Sequence, residues 1–164
     1  MPDCEDFIVT YDGSREGEIR FAWNGKHAAD LRDANYQFRK QVLDAMITHL
    51  DRIDLRLVRD VLRAETQLSK EAWAIDNRVG KLAETLLKRG QATYVEDYLL
   101  ARMQSFDAYL GCATFEIDLN LARDLLRTVE GRLISETDEA KKRLWTFGKD
   151  TFEKWVQHLE AKTI

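Results

Sequence analysis

A near-repeat constrains this chain more than any other feature. Residues 53–63, Ile-Asp-Leu-Arg-Leu-Val-Arg-Asp-Val-Leu-Arg, recur sixty-four positions later as 117–127, Ile-Asp-Leu-Asn-Leu-Ala-Arg-Asp-Leu-Leu-Arg. Eight of the eleven aligned positions are identical, and two of the remaining three exchange one apolar residue for another. An internal duplication is the expectation, so the fold must use this stretch twice. In each copy an aspartate stands just before a run with helical periodicity. A short carboxylate there accepts hydrogen bonds from first-turn amides and meets the positive end of the helix dipole, which makes Asp54 and Asp118 predicted N-caps. Ile53 and Val58 occupy the positions of a hydrophobic staple, with Ile117 and Ala122 as the weaker counterpart.

Wound as a helix, the first copy gathers Leu57, Val58, Val61, Leu62, Ala64 and Leu68 on one side and Arg56, Arg59 and Arg63 on the other. The second copy turns Leu121, Ala122, Leu125, Leu126 and Val129 inward and Asn120, Arg123 and Arg127 outward. Asp60 and Asp124 are expected as modest surface pairs with Arg63 and Arg127, each worth roughly 0.2–0.5 kcal/mol. Arg56, Arg59, Arg63, Arg123 and Arg127 form a solvated face, the commoner use of such charges, or a partner-binding face.

The 164 residues fit a single domain able to bury a core without a metal or disulfide. A hydrophobic share of 45%, a charged share of 33% and a net charge of −4 describe a soluble globular chain, not a disordered tail or a generic basic nucleic-acid binder. The only proline is Pro2. Since proline interrupts helices, its absence from the body favours a mostly helical chain. Cys4 and Cys112 are too few for a disulfide framework, and no secretory leader or membrane span is apparent, so a reducing, cytoplasmic setting is expected.

Phe7-Ile-Val-Thr-Tyr11 and Glu18-Ile-Arg-Phe-Ala-Trp23 are rich in β-branched and aromatic residues and flank a turn-forming cluster. They predict a β-hairpin, which would dock on the helices or pair edge to edge in a homodimer. A helix is predicted over about 27–50, with Leu31, Ala34, Phe38, Val42, Ala45 and His49 on one stripe. The first marked helix covers about 55–67. Ser69 then caps a third helix over about 70–89, with Trp73 in its core face and a stop at Lys88-Arg-Gly90. Thr93-Tyr-Val-Glu96 reads as a capping box for a helix over 94–111, whose stripe is Val95, Leu99, Met103, Phe106 and Leu110. The second marked helix covers about 119–134, and the last runs to about 160 with Leu144, Trp145, Phe152 and Trp155. The duplication extends outside the marked stretches, because Arg39 and Asp44 correspond to Arg102 and Asp107 at an offset of sixty-three.

The sequence holds no Glu-x-x-His pair, His-Glu-x-x-His, Cys-x-x-Cys pair, P-loop, Rossmann fingerprint or nucleophile elbow. No catalytic, cofactor-binding or metal-ligating residue is assigned, and no cofactor is expected. Arg39, Asp44, Arg102 and Asp107 are candidates for a polar cleft between the halves. Arg102 projects near the centre of an apolar stripe, as a buried charge seeking a carboxylate. A hydrolase would instead bring Asp44, Asp107 and Glu71 together as metal-binding or general-base groups. Such carboxylates more often serve as caps and inter-helix pairs.

The run Asp54-x-x-x-Val58-Arg59 followed by Val61-Leu62 resembles the second-helix pattern of HEAT-type helical repeats, and Asp118-x-x-x-Ala122-Arg123 is a looser match. The resemblance covers the eleven residues of each copy, while the repeat is longer than the roughly 40–47 residues of those units. It implies a stacked helical scaffold that binds other proteins.

The sequence as a whole predicts one mainly α domain, 1–164: a hairpin segment (1–25) and two related three-helix units (26–90 and 91–164), as a six-helix bundle or repeat-like array. The expected function is a non-catalytic intracellular protein-interaction module. The alternatives are an acidic, immunity-type protein masking a toxin or nuclease through Glu136, Asp138 and Glu139, and a carboxylate-based metal-dependent hydrolase. The expected partner is another protein, with no membrane and no nucleic acid.

Overall fold

A computed structural model describes residues 3–162. They form eight α-helices: α1 (Cys4–Val9), α2 (Tyr36–Met46), α3 (Leu55–Ala72), α4 (Val79–Gly90), α5 (Val95–Arg102), α6 (Phe106–Gly111), α7 (Leu119–Ser135) and α8 (Glu139–Ala161). The chain is mainly helical, as its sequence predicts, with two more helices than the six expected. One apolar core runs from Phe7 through α2–α5 to Ala122, Leu125, Val129 and Phe152. No helix among the described residues is long and apolar enough to cross a membrane.

The predicted hairpin is not formed, and no strand occurs among the described residues. Asp3 caps α1 by accepting the Glu5 amide at 3.0 Å, and the helix carries Phe7 into the core one turn before Tyr11. The rings meet at 5.3 Å, and Phe7 meets Phe38 of α2 edge-on at 5.0 Å. Aromatic burial against α2 thus overrides the strand propensity of this segment. Of the second expected strand only an isolated antiparallel bridge between Trp23 and Asp33 exists. The homodimer edge expected of the hairpin is therefore missing.

Helix α2 starts nine residues later than the predicted 27, at Tyr36. Polar side chains hold the preceding backbone in a loop. The Asn24 side chain takes the Arg32 amide at 3.0 Å and gives to the Asp30 carbonyl at 2.9 Å. Asp33 takes the amides of Ala22 (3.0 Å) and Asn35 (3.1 Å). Such side-chain bonds give the backbone an alternative to helix. The inward face of α2 is Phe38, Arg39, Val42, Leu43 and Met46, while Ala45 and His49 of the predicted stripe are exposed.

Asp54 caps α3 through the Arg56 amide (2.7 Å), and Asp118 caps α7 through the Leu121 amide (2.9 Å). The two marked stretches therefore share a local structure. Ser69 is no cap, for α3 runs past it to Ala72 while its hydroxyl bonds the Thr66 carbonyl (2.9 Å) and meets the Ser105 hydroxyl (2.7 Å). The helix ends at Trp73, in left-handed backbone at φ 54° and 88% exposed instead of in the core. Helix α4 stops at Gly90, as the basic-glycine signal predicts. The Thr93 capping box does not form, because a 3₁₀ turn covers Gln91–Thr93 and Tyr94 holds the cap position.

The predicted helix over 94–111 is broken after Arg102, and Ser105 caps α6 by accepting the Ala108 amide at 3.0 Å. The last two helices form an antiparallel pair across residues 136–138, where Asp138 accepts the Lys141 amide at 2.8 Å. A Cβ on Gly148 would lie 2.5 Å from Leu99 Cδ1 and 3.2 Å from Val129 Cγ1, so α5, α7 and α8 converge there. Outside the marked stretches the halves differ: the counterpart of the unbroken α2 is the broken α5–α6 pair, and α4 has 12 residues against 23 in α8.

Candidate functional site

The arginines of the marked helices are committed within the chain. Arg56 holds Asp54 at 2.6 Å and the Asp12 carbonyl at 2.9 Å. Arg59 lies along Asp60 with bonds of 2.7 and 3.0 Å, and Arg63 reaches Asp97 at 3.2 Å and Glu16 at 3.4 Å. On α7, Arg123 pairs with Glu160 at 2.7 Å, and Arg127 with Asp124. Arg56, Arg63 and Arg123 thus tie separate segments together, while Arg59–Asp60 and Arg127–Asp124 are pairs within one helix, the last an exposed i,i+3 surface pair as the sequence predicts. Asp60 is not the predicted surface group: it is 1% exposed and accepts the Tyr11 hydroxyl at 2.6 Å. That hydroxyl's ionisation is pushed upward, by burial first and by the bond to Asp60 second.

The four residues of the predicted polar cleft go to separate places. Arg39 is fully buried, with Nε on Glu65 at 2.6 Å, Nη2 on Asp33 at 2.7 Å and Nη1 on the Ile19 carbonyl at 3.1 Å. Asp44 is exposed and pairs with Arg78, which also holds Asp76 at 2.6 Å and keeps that carboxyl below its ordinary range. Asp107 lies in the first turn of α6 and pairs with no cation among the described residues. Arg102 is 5% exposed. It donates to the Tyr109 carbonyl (3.2 Å), the Tyr98 hydroxyl (3.4 Å) and Thr151 Oγ1 (3.5 Å). The carboxylate expected for it is absent, since none among the described residues lies within 4.0 Å of its nitrogens.

The groups of the hydrolase reading do not converge either. Glu71 lies 3.5 Å from His27, at the opposite end of α3 from its cap, while Asp44 and Asp107 stay apart. Among the described residues no group of three or more His, Cys, Asp or Glu is placed to hold a metal ion. Both cysteines are free, and the buried Cys112 thiol is pushed up to about 12 by burial, against the opposing charge of Arg102. Glu136 accepts the amides of Thr137 and Asp138, Asp138 caps α8, and Glu139 pairs with Lys142, so the three acidic contacts of the immunity-type reading have local duties.

Two surface features were not read from the sequence. A cleft of about 580 Å³ lies between residues 31–37 and the C-terminal end of α3, with Leu31, Tyr36, Leu68 and Ile75 above Asp33 and Glu65. Arg39 already holds both of these carboxylates and Arg78 holds Asp76 at the same cleft, so each is committed to an arginine. The second feature is apolar. Leu100, Met103, Phe106, Tyr109 and Leu110 are all exposed, Phe106 at 74% and Leu110 at 51%. Phe106, Tyr109 and Leu110 stand at i, i+3 and i+4 on one face of α6, and Leu100 and Met103 lead into it. Met103, Phe106 and Leu110 are thus turned outward from the predicted core stripe. The signal for this was Ser105 with Asp107 behind it, a helix start inside an apolar run.

No family model, no curated protein and no solved structure matches the chain, so the HEAT-like pattern stands without a family behind it.

Proposed function

We propose that the chain is a non-catalytic intracellular protein-interaction module, with the exposed apolar face of α6 and the end of α5 as its contact surface. One observation carries this reading: five large apolar side chains are exposed within eleven consecutive residues, 100–110, whereas the other exposed large apolar side chains among the described residues, such as Val9 of α1 and Ile134 of α7, stand singly along the chain. Clustered exposure of this kind marks interaction surfaces, whereas scattered exposed apolar residues are ordinary. The spacing suits the apolar face of an amphipathic helix from a second protein. Asp107, in no ion pair with the described residues and at the border of the face, favours a partner with a basic residue beside its apolar stripe. This moves the contact surface away from Arg56, Arg59, Arg63, Arg123 and Arg127, whose charges are met internally.

A photo-reactive phenylalanine analogue placed at 106 or 110, with a control at 127, tests the reading in cells. Discrete adducts from 106 and 110 alone support it. No adduct, or the same adducts from 127, would count against it.

A further inference from the structure

Arg102 is a buried cation with no counter-ion among the described residues. Taking a guanidinium out of water is costly, and proteins offset that cost with a carboxylate or with full hydrogen bonding. Here the surroundings are neutral. Nε donates to the Tyr109 carbonyl at the C-terminal end of α6, and Nη1 is shared at 3.4 and 3.5 Å between two hydroxyls. Ring faces supply the rest: the guanidinium carbon lies 4.4 Å from the centre of Tyr109, 5.7 Å from Phe147 and 5.9 Å from Trp155. A helix end and three ring faces attract a cation but do not neutralise it. Nη2 donates to no group among the described residues, and every buried side-chain nitrogen and oxygen among them has a partner. Nη2 is therefore the nitrogen that reaches solvent.

We propose that Arg102 is a receptor for a carboxylate borne on a flat apolar body, which the Nη2 edge binds while the rings of Tyr109, Phe147 and Trp155 flank it. The site shares Tyr109 with the apolar face of α6 but does not depend on that face being an interface. The two N–H groups of one planar, charged nitrogen suit a carboxylate oxygen, and the ring walls favour an aromatic or apolar body over a hydrated ion such as phosphate.

The Arg102 Nε–H, ordered by its bond to Tyr109, supplies an NMR signal to follow while benzoate, benzyl alcohol, phosphate or a short peptide ending in phenylalanine is titrated. The peptide is used with a free and with an amidated C-terminus. Saturable shifts with benzoate, absent with benzyl alcohol and phosphate, show a site for free organic acids. Shifts only with the free-carboxyl peptide show that the carboxylate arrives on a chain. Arg102→Lys keeps the charge without the planar Nη2 edge and should bind roughly tenfold more weakly. Arg102→Met should remain folded and show no binding by calorimetry. No saturable response to either carboxylate, or wild-type affinity in Arg102→Met, would overturn the proposal.

Discussion

Arg39 and Arg102 correspond at an offset of sixty-three in the sequence, and both are buried, yet their surroundings are opposite in kind. Arg39 lies between Glu65 and Asp33, at 2.6 and 2.7 Å, and ties α2 to α3 and to the loop before it. Arg102 lies among rings and hydroxyls. The sixty-four-residue offset of the marked stretches puts Val129 where the first half has Glu65. The offset of sixty-three puts Glu96 in the place of Asp33, and Glu96 is spent on Arg132 at 3.5 Å and Lys141 at 3.9 Å. The same side chain thus serves as a closed structural joint in one region and as an unmet charge in the other. Burial alone does not tell what an arginine is for; its counter-ions do.

Removing a counter-ion from the first region should make it resemble the second, at a high cost. Glu65→Ala leaves Arg39 with Asp33 alone, and breaking a buried pair in this way costs about 3–5 kcal/mol. Urea unfolding would measure it; a loss below 1 kcal/mol would mean that the buried pair matters far less than its geometry implies. The caps, where the two regions agree, should give smaller and similar effects, with Asp54→Ala and Asp118→Ala each costing about 1 kcal/mol by thermal unfolding. Asp54 adds a pH dependence, because the Arg56 side-chain bond holds its carboxyl below the ordinary 3.8. Its contribution is complete above that pH and is lost as pH falls through the depressed value. The deficit of Asp54→Ala against wild type should therefore narrow in acid; a deficit independent of pH would contradict the Arg56 bond.

Helical class, the two Asp caps, the Gly90 stop and the last two helices were legible because local signals set them: periodicity, a capping carboxylate, a terminal glycine. The misread elements were decided by distant partners. Phe7 and Tyr11 follow Phe38 and Asp60 into the core, so a segment with strand propensity becomes α1. Asn24 and Asp33, not the apolar stripe, set where α2 begins. The two hydroxyls of Ser69 and Ser105 meet across α3 and α6, where Ser69, read as a cap, lies inside a helix, and Ser105, read as part of a continuous helix, is the cap. At the candidate sites, the sequence marked Arg102 as a charge inside an apolar stripe. It did not show that the aligned partner positions had changed, since Val129 and Glu96 become informative only beside Glu65 and Asp33.

Thermal unfolding of Arg39→Met and Arg102→Met, side by side, tests the difference between the two arginines most directly. Arg39→Met strands two carboxylates in the core and should lose about 3–5 kcal/mol, whereas Arg102→Met replaces an unmet charge by an apolar side chain and should match or exceed the wild-type midpoint. Comparable losses in both variants, or a larger loss in Arg102→Met, would contradict the contrast drawn between them.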